Sequence, residues 1–222
     1  DDALILSARA KIEKEPNYSK VAAALAANAL YKEVFRESVD SDTFELQYRK
    51  AFVQNIKKLV KAEIISAKLL DFDLKKISEA MQPERDSLFK YLGLQILIDR
   101  YFTRHNNKIM ETPQAFWMRV AMGLAINEEN KEERAIEFYN LFSNMLYTPS
   151  TPTLFNSGTT HSQLSSCYLN TFDDSIDGIF EGVWQEARKS KYAGGLGFDV
   201  TNFRASGAFI KGTNGISGGL VP

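Results

Sequence analysis

Glycine divides this chain. Of its 13 glycines only Gly93 and Gly123 precede Tyr147, and the others crowd the last third. A glycine inside a helix costs about 1 kcal/mol relative to alanine, whereas in turns it permits backbone shapes and close approaches that other residues resist. A chain of 222 residues with that asymmetry reads as two regions of different fold class. Residues 1–147 have the grammar of helices joined by short loops, and residues 148–222 that of strands and turns.

In the first region, Asn17 or Ser19 precedes an alanine-rich helix from Val21 to Val34. A second helix is expected from about Asp42 to Leu59, with Phe44, Tyr48, Phe52 and Ile56 at four-residue spacing. Asp86-Ser87 precedes a third apolar-faced segment, Leu88 to Phe102. Thr112-Pro113 is a helix start signal, followed by a stripe of Phe116, Val120 and Leu124. The last helix, Lys131 to Leu146, is expected to bury Ala135, Phe138, Phe142 and Met145. These aromatics and methionines read as core. In the second region Cys167 to Thr171 alternates like a short strand. Asp173-Asp174-Ser175 then caps a helix with Ile176, Ile179, Val183 and Ala187 on one face. Gly194 to Val200 reads as a turn entering a second strand, and strand–helix–strand opens an α/β layer.

The 27 basic and 28 acidic residues leave a net charge of -1, which argues against broad electrostatic capture of nucleic acid or an anionic membrane. No apolar run approaches the roughly 20 residues that span a bilayer, and the N-terminus lacks a signal-peptide pattern. The single cysteine excludes a disulfide within the chain and fits a reducing, cytoplasmic setting. An absent initiator methionine and an apolar stop at Gly218 to Pro222 read as cut ends, so a fragment is expected.

Few residues offer chemistry on their own. Gly195-Leu196-Gly197 lacks the third glycine and the preceding strand of a dinucleotide fingerprint. His105, in the polar loop Thr103 to Lys108, and His161 lie far apart with no ligand-spaced partner, so no metal site is expected. Glu128-Glu129 and Glu132-Glu133 read as a solvated face near a helix start. Cys167 by composition alone is a small buried hydrophobe, yet its place after two serines and beside glycine-rich backbone would expose it to a ligand.

The order of motifs goes further. Thr151-Pro152-Thr153-Leu154-Phe155-Asn156-Ser157-Gly158-Thr159 is followed by Gln163-Leu164-Ser165-Ser166-Cys167, then Asp173-Asp174-Ser175-Ile176. Ser190-Lys191, Ala193 to Gly197, Arg204-Ala205-Ser206-Gly207 and Ile210 to Gly215 complete the run. Together these closely resemble the large (α) subunit of ribonucleotide reductases. The helical half also resembles that family's N-terminal helical domain, notably around Asp99-Arg100-Tyr101-Phe102 and Pro113 to Gly123.

The resemblance implies a mainly α domain over residues 1–147, then the first part of a ten-stranded α/β barrel over 148–222. Residues 1–14 correspond at most to the last helix of a preceding ATP-binding cone. It implies reduction of ribonucleoside diphosphates by radical chemistry, with Cys167 as one of two cysteines oxidised in each turnover and thioredoxin or glutaredoxin as reductant. The partner sulfur is not in this chain, so the fragment alone is expected to be inactive. By the same resemblance Thr151, Thr153, Ser166 and Gly195 line the substrate diphosphate and ribose. Asp174, Ser175, Ile176 and Ile210 with Lys191, Arg204 and Lys211 hold a deoxynucleoside triphosphate effector at the interface of a large-subunit homodimer. The radical comes from a metal-containing small (β) subunit in class I enzymes or from adenosylcobalamin in class II, and no cofactor is expected on this chain itself. The competing reading is a stand-alone nucleotide-binding or dimerisation module without redox activity. The sequence downstream of Pro222 separates the two.

Overall fold

A computed structural model describes residues 1–192 and 194–221; Ala193, quoted in the glycine run, and Pro222 lie outside the described residues. The chain forms two compact units, Asp1–Leu164 and Ser165–Pro222.

The first unit is helical. Helices α1 (Asp2–Arg9), α2 (Tyr18–Phe35) and α3 (Phe44–Lys61) open it. The buried side of α2 is Ala22, Ala23, Ala26, Ala27, Leu30 and Val34, mostly side chains small enough for neighbouring helices to approach closely. Tyr48, Phe52 and Ile56 are buried on α3, as their spacing predicts. Short 3-10 turns Ala67–Asp71 and Pro83–Leu88 flank α4 (Leu74–Glu79). Helix α5 (Tyr91–Ile96) runs into a π-helical turn, Leu97–Tyr101. The hairpin β1 (Arg104–His105) with β2 (Lys108–Ile109) follows, then α6 (Pro113–Ala125), α7 (Lys131–Ser143) and α8 (Thr151–Asn156).

Four expectations are corrected here. The segment 88–102 is not one helix, and Asp86 just before it is buried and accepts hydrogen bonds from Tyr31, Tyr48 and Gln114. The polar loop around His105 is a hairpin, because Asn106 and Asn107 both take left-handed backbone (φ 51° and 61°), as a two-residue turn between twisted strands requires. Helix α6 carries no mere stripe: eleven of its 13 residues are buried, and it is the centre of the unit. Helix α7 stops at Ser143, where Met145 turns left-handed (φ 58°), so Met145 and Leu146 face solvent rather than the core.

The glycine boundary near Tyr147 is not the packing boundary. Residues 148–164 are held against the helices by Arg119, which is fully buried on α6. Its Nε donates to Glu111 Oε1 at 2.6 Å, and its Nη1 donates to the Ser157 carbonyl at 2.6 Å. Ser157 Oγ donates to the Val120 carbonyl at 2.7 Å. The approach is so close that a Cβ on Gly123 would lie 2.1 Å from the Gly158 amide nitrogen. A glycine in the middle of a helix has a packing reason here.

The second unit opens with β3 (Cys167–Thr171), α9 (Ile176–Lys191) and β4 (Gly195–Asp199), the expected strand–helix–strand. The strands pair in parallel, Cys167 opposite Gly195 through Thr171 opposite Asp199. A small antiparallel hairpin, β5 (Phe209–Ile210) with β6 (Gly215–Ile216), follows. The described sheets do not close a barrel. Parallel strands are normally covered on both faces, yet Leu169 on β3 is 88% exposed and Phe198 on β4 is 58% exposed.

Candidate functional site

Cys167 opens strand β3 and is exposed. Its register partner is Gly195, whose amide donates to the Ser166 carbonyl at 2.7 Å. A Cβ on Gly195 would lie 3.1 Å from that carbonyl oxygen and 3.7 Å from Cys167 Sγ. Glycine therefore leaves the thiol beside bare backbone. Ser166, Cys167 and Gly195 form one small cluster, accessible to a ligand.

Thr151 and Thr153 belong to the first unit, on α8. Thr151 is exposed, and its Oγ1 lies 3.1 Å from the Tyr101 hydroxyl. Thr153 is committed differently: its hydroxyl donates to the Leu164 carbonyl at 3.2 Å, while Asn156 Nδ2 donates to the Gln163 carbonyl at 2.7 Å. Those two bonds tie the loop after α8 back to the helix.

The residues expected to hold an effector split into two groups. Asp174, Ser175, Ile176, Arg204 and Ile210 line a single cleft of about 410 Å³, with Ile179, Phe203 and Ser217 completing much of its wall. Ser175 is the cap of α9, accepting from the Gly178 amide at 3.0 Å. Asp174 is not a cap. Its Oδ2 accepts from Arg204 Nε at 2.5 Å and from the Arg204 amide at 3.2 Å, a partly buried ion pair in the wall of the cleft. Lys191 and Lys211 are not in this wall. Lys191 ends α9, and a helix of 16 residues is about 24 Å long, so it stands a helix length from Ser175. Lys211 lies in the loop of the β5–β6 hairpin.

Helix α9 turns its apolar stripe outward. Ile176, Phe180, Val183 and Trp184 are all more than half exposed, whereas the buried positions are Gly182 and Glu186. Of the expected face of Ile176, Ile179, Val183 and Ala187, only Ile179 is half-buried within this chain, and the other three are exposed.

Comparison with known proteins settles the family. Residues 87–162 match the ribonucleotide reductase all-alpha domain, and residues 165–222 match the ribonucleotide reductase barrel domain. This chain belongs to the ribonucleotide reductase large-subunit family. It is 50% identical over 220 residues to the ribonucleoside-diphosphate reductase subunit alpha of Chlamydia trachomatis, covering 99% of this chain and 21% of the relative. It is 40% identical over 213 residues to the large subunit of the Monkeypox virus enzyme, covering 94% of this chain and 27% of the relative. To the Helicobacter pylori subunit alpha it is 38% identical over 221 residues, 99% of this chain and 27% of the relative. The chain thus spans between a fifth and about a quarter of the length of these relatives.

Residues 87–162, the helical part of the first unit from the end of its second 3-10 turn through α8, match the all-alpha domain, and the parallel strand–helix–strand lies in the part that matches the barrel domain. Among the described residues no group of three or more His, Cys, Asp and Glu side chains is placed to hold a metal ion, and no helix is long and apolar enough to cross a membrane. Sequence reading missed Tyr101 and Phe203 as site neighbours. Tyr101 stood in the quoted Asp99-Arg100-Tyr101-Phe102 run, but nothing in one dimension pairs it with Thr151, fifty residues on.

Proposed function

We propose that this chain is part of a ribonucleoside-diphosphate reductase large subunit and supplies one thiol of its redox pair, part of its substrate cradle and its specificity site. The observation that carries the reading is the exposed Cys167 in register with Gly195, behind two serines. Two thiols reduce one ribonucleotide: the disulfide forms, C2′ gains hydrogen in place of hydroxyl, and water leaves. The second thiol comes from outside these residues, so the chain alone is inactive. Thioredoxin or glutaredoxin restores the pair. The radical is supplied by a metal-containing small subunit or by adenosylcobalamin.

The Thr151 hydroxyl on the first unit and, separately, the Ser166 hydroxyl on the second suit phosphate and ribose oxygens, which accept hydrogen bonds, while Gly195, whose amide is committed to the Ser166 carbonyl, permits close approach to its backbone. Thr153 shapes the loop it ties to Leu164. In the cleft, the free Asp174 oxygen suits a sugar hydroxyl, and the free edge of the Arg204 guanidinium suits phosphate. Lys191 and Lys211 complete effector binding in a large-subunit homodimer built on the outward stripe of α9. The setting is cytoplasmic.

The test is Cys167→Ser in the complete protein. Turnover with the dithiol reductant falls at least about a thousandfold, while the thermal midpoint stays within about 2 °C. Retained multiple turnover would refute the redox assignment.

A further inference from the structure

We infer that Tyr101 is a positioning residue for the substrate phosphate, acting through Thr151; this rests on Thr151 belonging to the substrate cradle. Tyr101 closes the π-helical turn, whose i to i+5 bond runs from the Phe102 amide to the Leu97 carbonyl at 3.0 Å. Such turns are rare and concentrate at functional sites because the extra residue re-aims a side chain. Here it aims Tyr101 at α8. The ring stacks on Phe155 with centroids 4.5 Å apart and planes 17° apart, and meets the buried Phe116 edge-on at 6.4 Å. Phe155 lies four residues after Thr151, on the same side of α8. Stacking and the 3.1 Å hydroxyl contact therefore fix one relation between Tyr101 and Thr151.

The polarity of that contact follows from what phosphate needs. A threonine hydroxyl has one proton to donate and two lone pairs, and a phosphate oxygen only accepts. A phenol is the more acidic of the two hydroxyls. Tyr101 donates to Thr151 Oγ1, which leaves the threonine proton free to point at phosphate. The chain Tyr101 to Thr151 to phosphate is polarised in one direction, and each link strengthens the next. Packing alone does not require the hydroxyl, because phenylalanine would fill the same stack.

The test is a double-mutant cycle in the complete large subunit, with its radical source and a dithiol reductant. Steady-state kinetics are measured over ribonucleoside diphosphate concentration for Tyr101→Phe, Thr151→Val and the double variant. Tyr101→Phe is expected to raise KM about 3- to 10-fold, the worth of one ordinary hydrogen bond, with kcat changed less than about twofold. The double variant should match Thr151→Val alone, since both remove one shared device. If Thr151→Val raises KM and Tyr101→Phe leaves it unchanged, the inference fails and the cradle stands. Additive effects sink it equally, because Tyr101 would then act elsewhere. If Thr151→Val changes nothing, the cradle assignment itself is wrong, and the inference goes with it.

Discussion

Asp86 is the residue whose environment is most at odds with its type. It is buried, and its carboxylate accepts from Tyr31 at 2.7 Å, Tyr48 at 2.8 Å and Gln114 at 2.7 Å. Tyr139 extends the network by donating to Gln114 Oε1 at 2.8 Å. Burial pushes Asp86 up to about 6, and its three hydrogen bonds offset only part of that shift. The same burial raises both Tyr31 and Tyr48, which stay protonated donors. The linkage has a definite sign. An unfolded aspartate releases its proton near pH 4, so between about 4 and 6 the folded state holds more protons. Stability from this group is fully present below that window and is lost as pH rises through it, by about 2–3 kcal/mol. Urea unfolding of the wild type should weaken between pH 4 and 7, and Asp86→Asn should flatten that dependence. An unchanged slope would remove Asp86 from the account. In sequence, Asp86-Ser87 only precedes an apolar-faced segment; the convergence of residues from α2, α3 and α6 makes Asp86 a core hydrogen-bond centre.

Residues 176–191 of helix α9 were legible from the Ser175 cap and the apolar period, and the strands on either side followed from alternation and glycine. The direction of the stripe was not legible, because periodicity says that a face exists and not what covers it. Within one chain Phe180 is 67% exposed and Trp184 54%. A stripe of that size outside a core is a signature of association. If it forms the proposed homodimer, Phe180→Asp should shift the complete protein to monomer in sedimentation at micromolar concentration, and dimer-dependent effector binding should weaken with it. A dimer that survives the substitution assigns the stripe to another contact.

At the scale of the molecule, the two units differ in how much apolar surface they bury. The first holds the hydrophobic core, from Ala23 through Leu154, around α6. The second leaves Leu169, Ile176, Phe209 and Ile216 more than 60% exposed. Amide exchange follows local burial, so in this chain α6 should exchange slowest and β3–β6 orders of magnitude faster; equal protection would contradict the division. Helix caps, periodicity and glycine placement are local signals, and they marked the helical and strand-bearing regions together with α2, α3, β3, α9 and β4; the contiguous motifs marked the family. Tertiary structure decided the rest. Which residues meet depends on contacts between segments far apart in the chain: Arg119 drawing the Ser157 loop onto the helices, Gly123 admitting Gly158, Arg204 closing on Asp174, and Tyr101 reaching Thr151. Packing, rather than any local preference, selects those pairs.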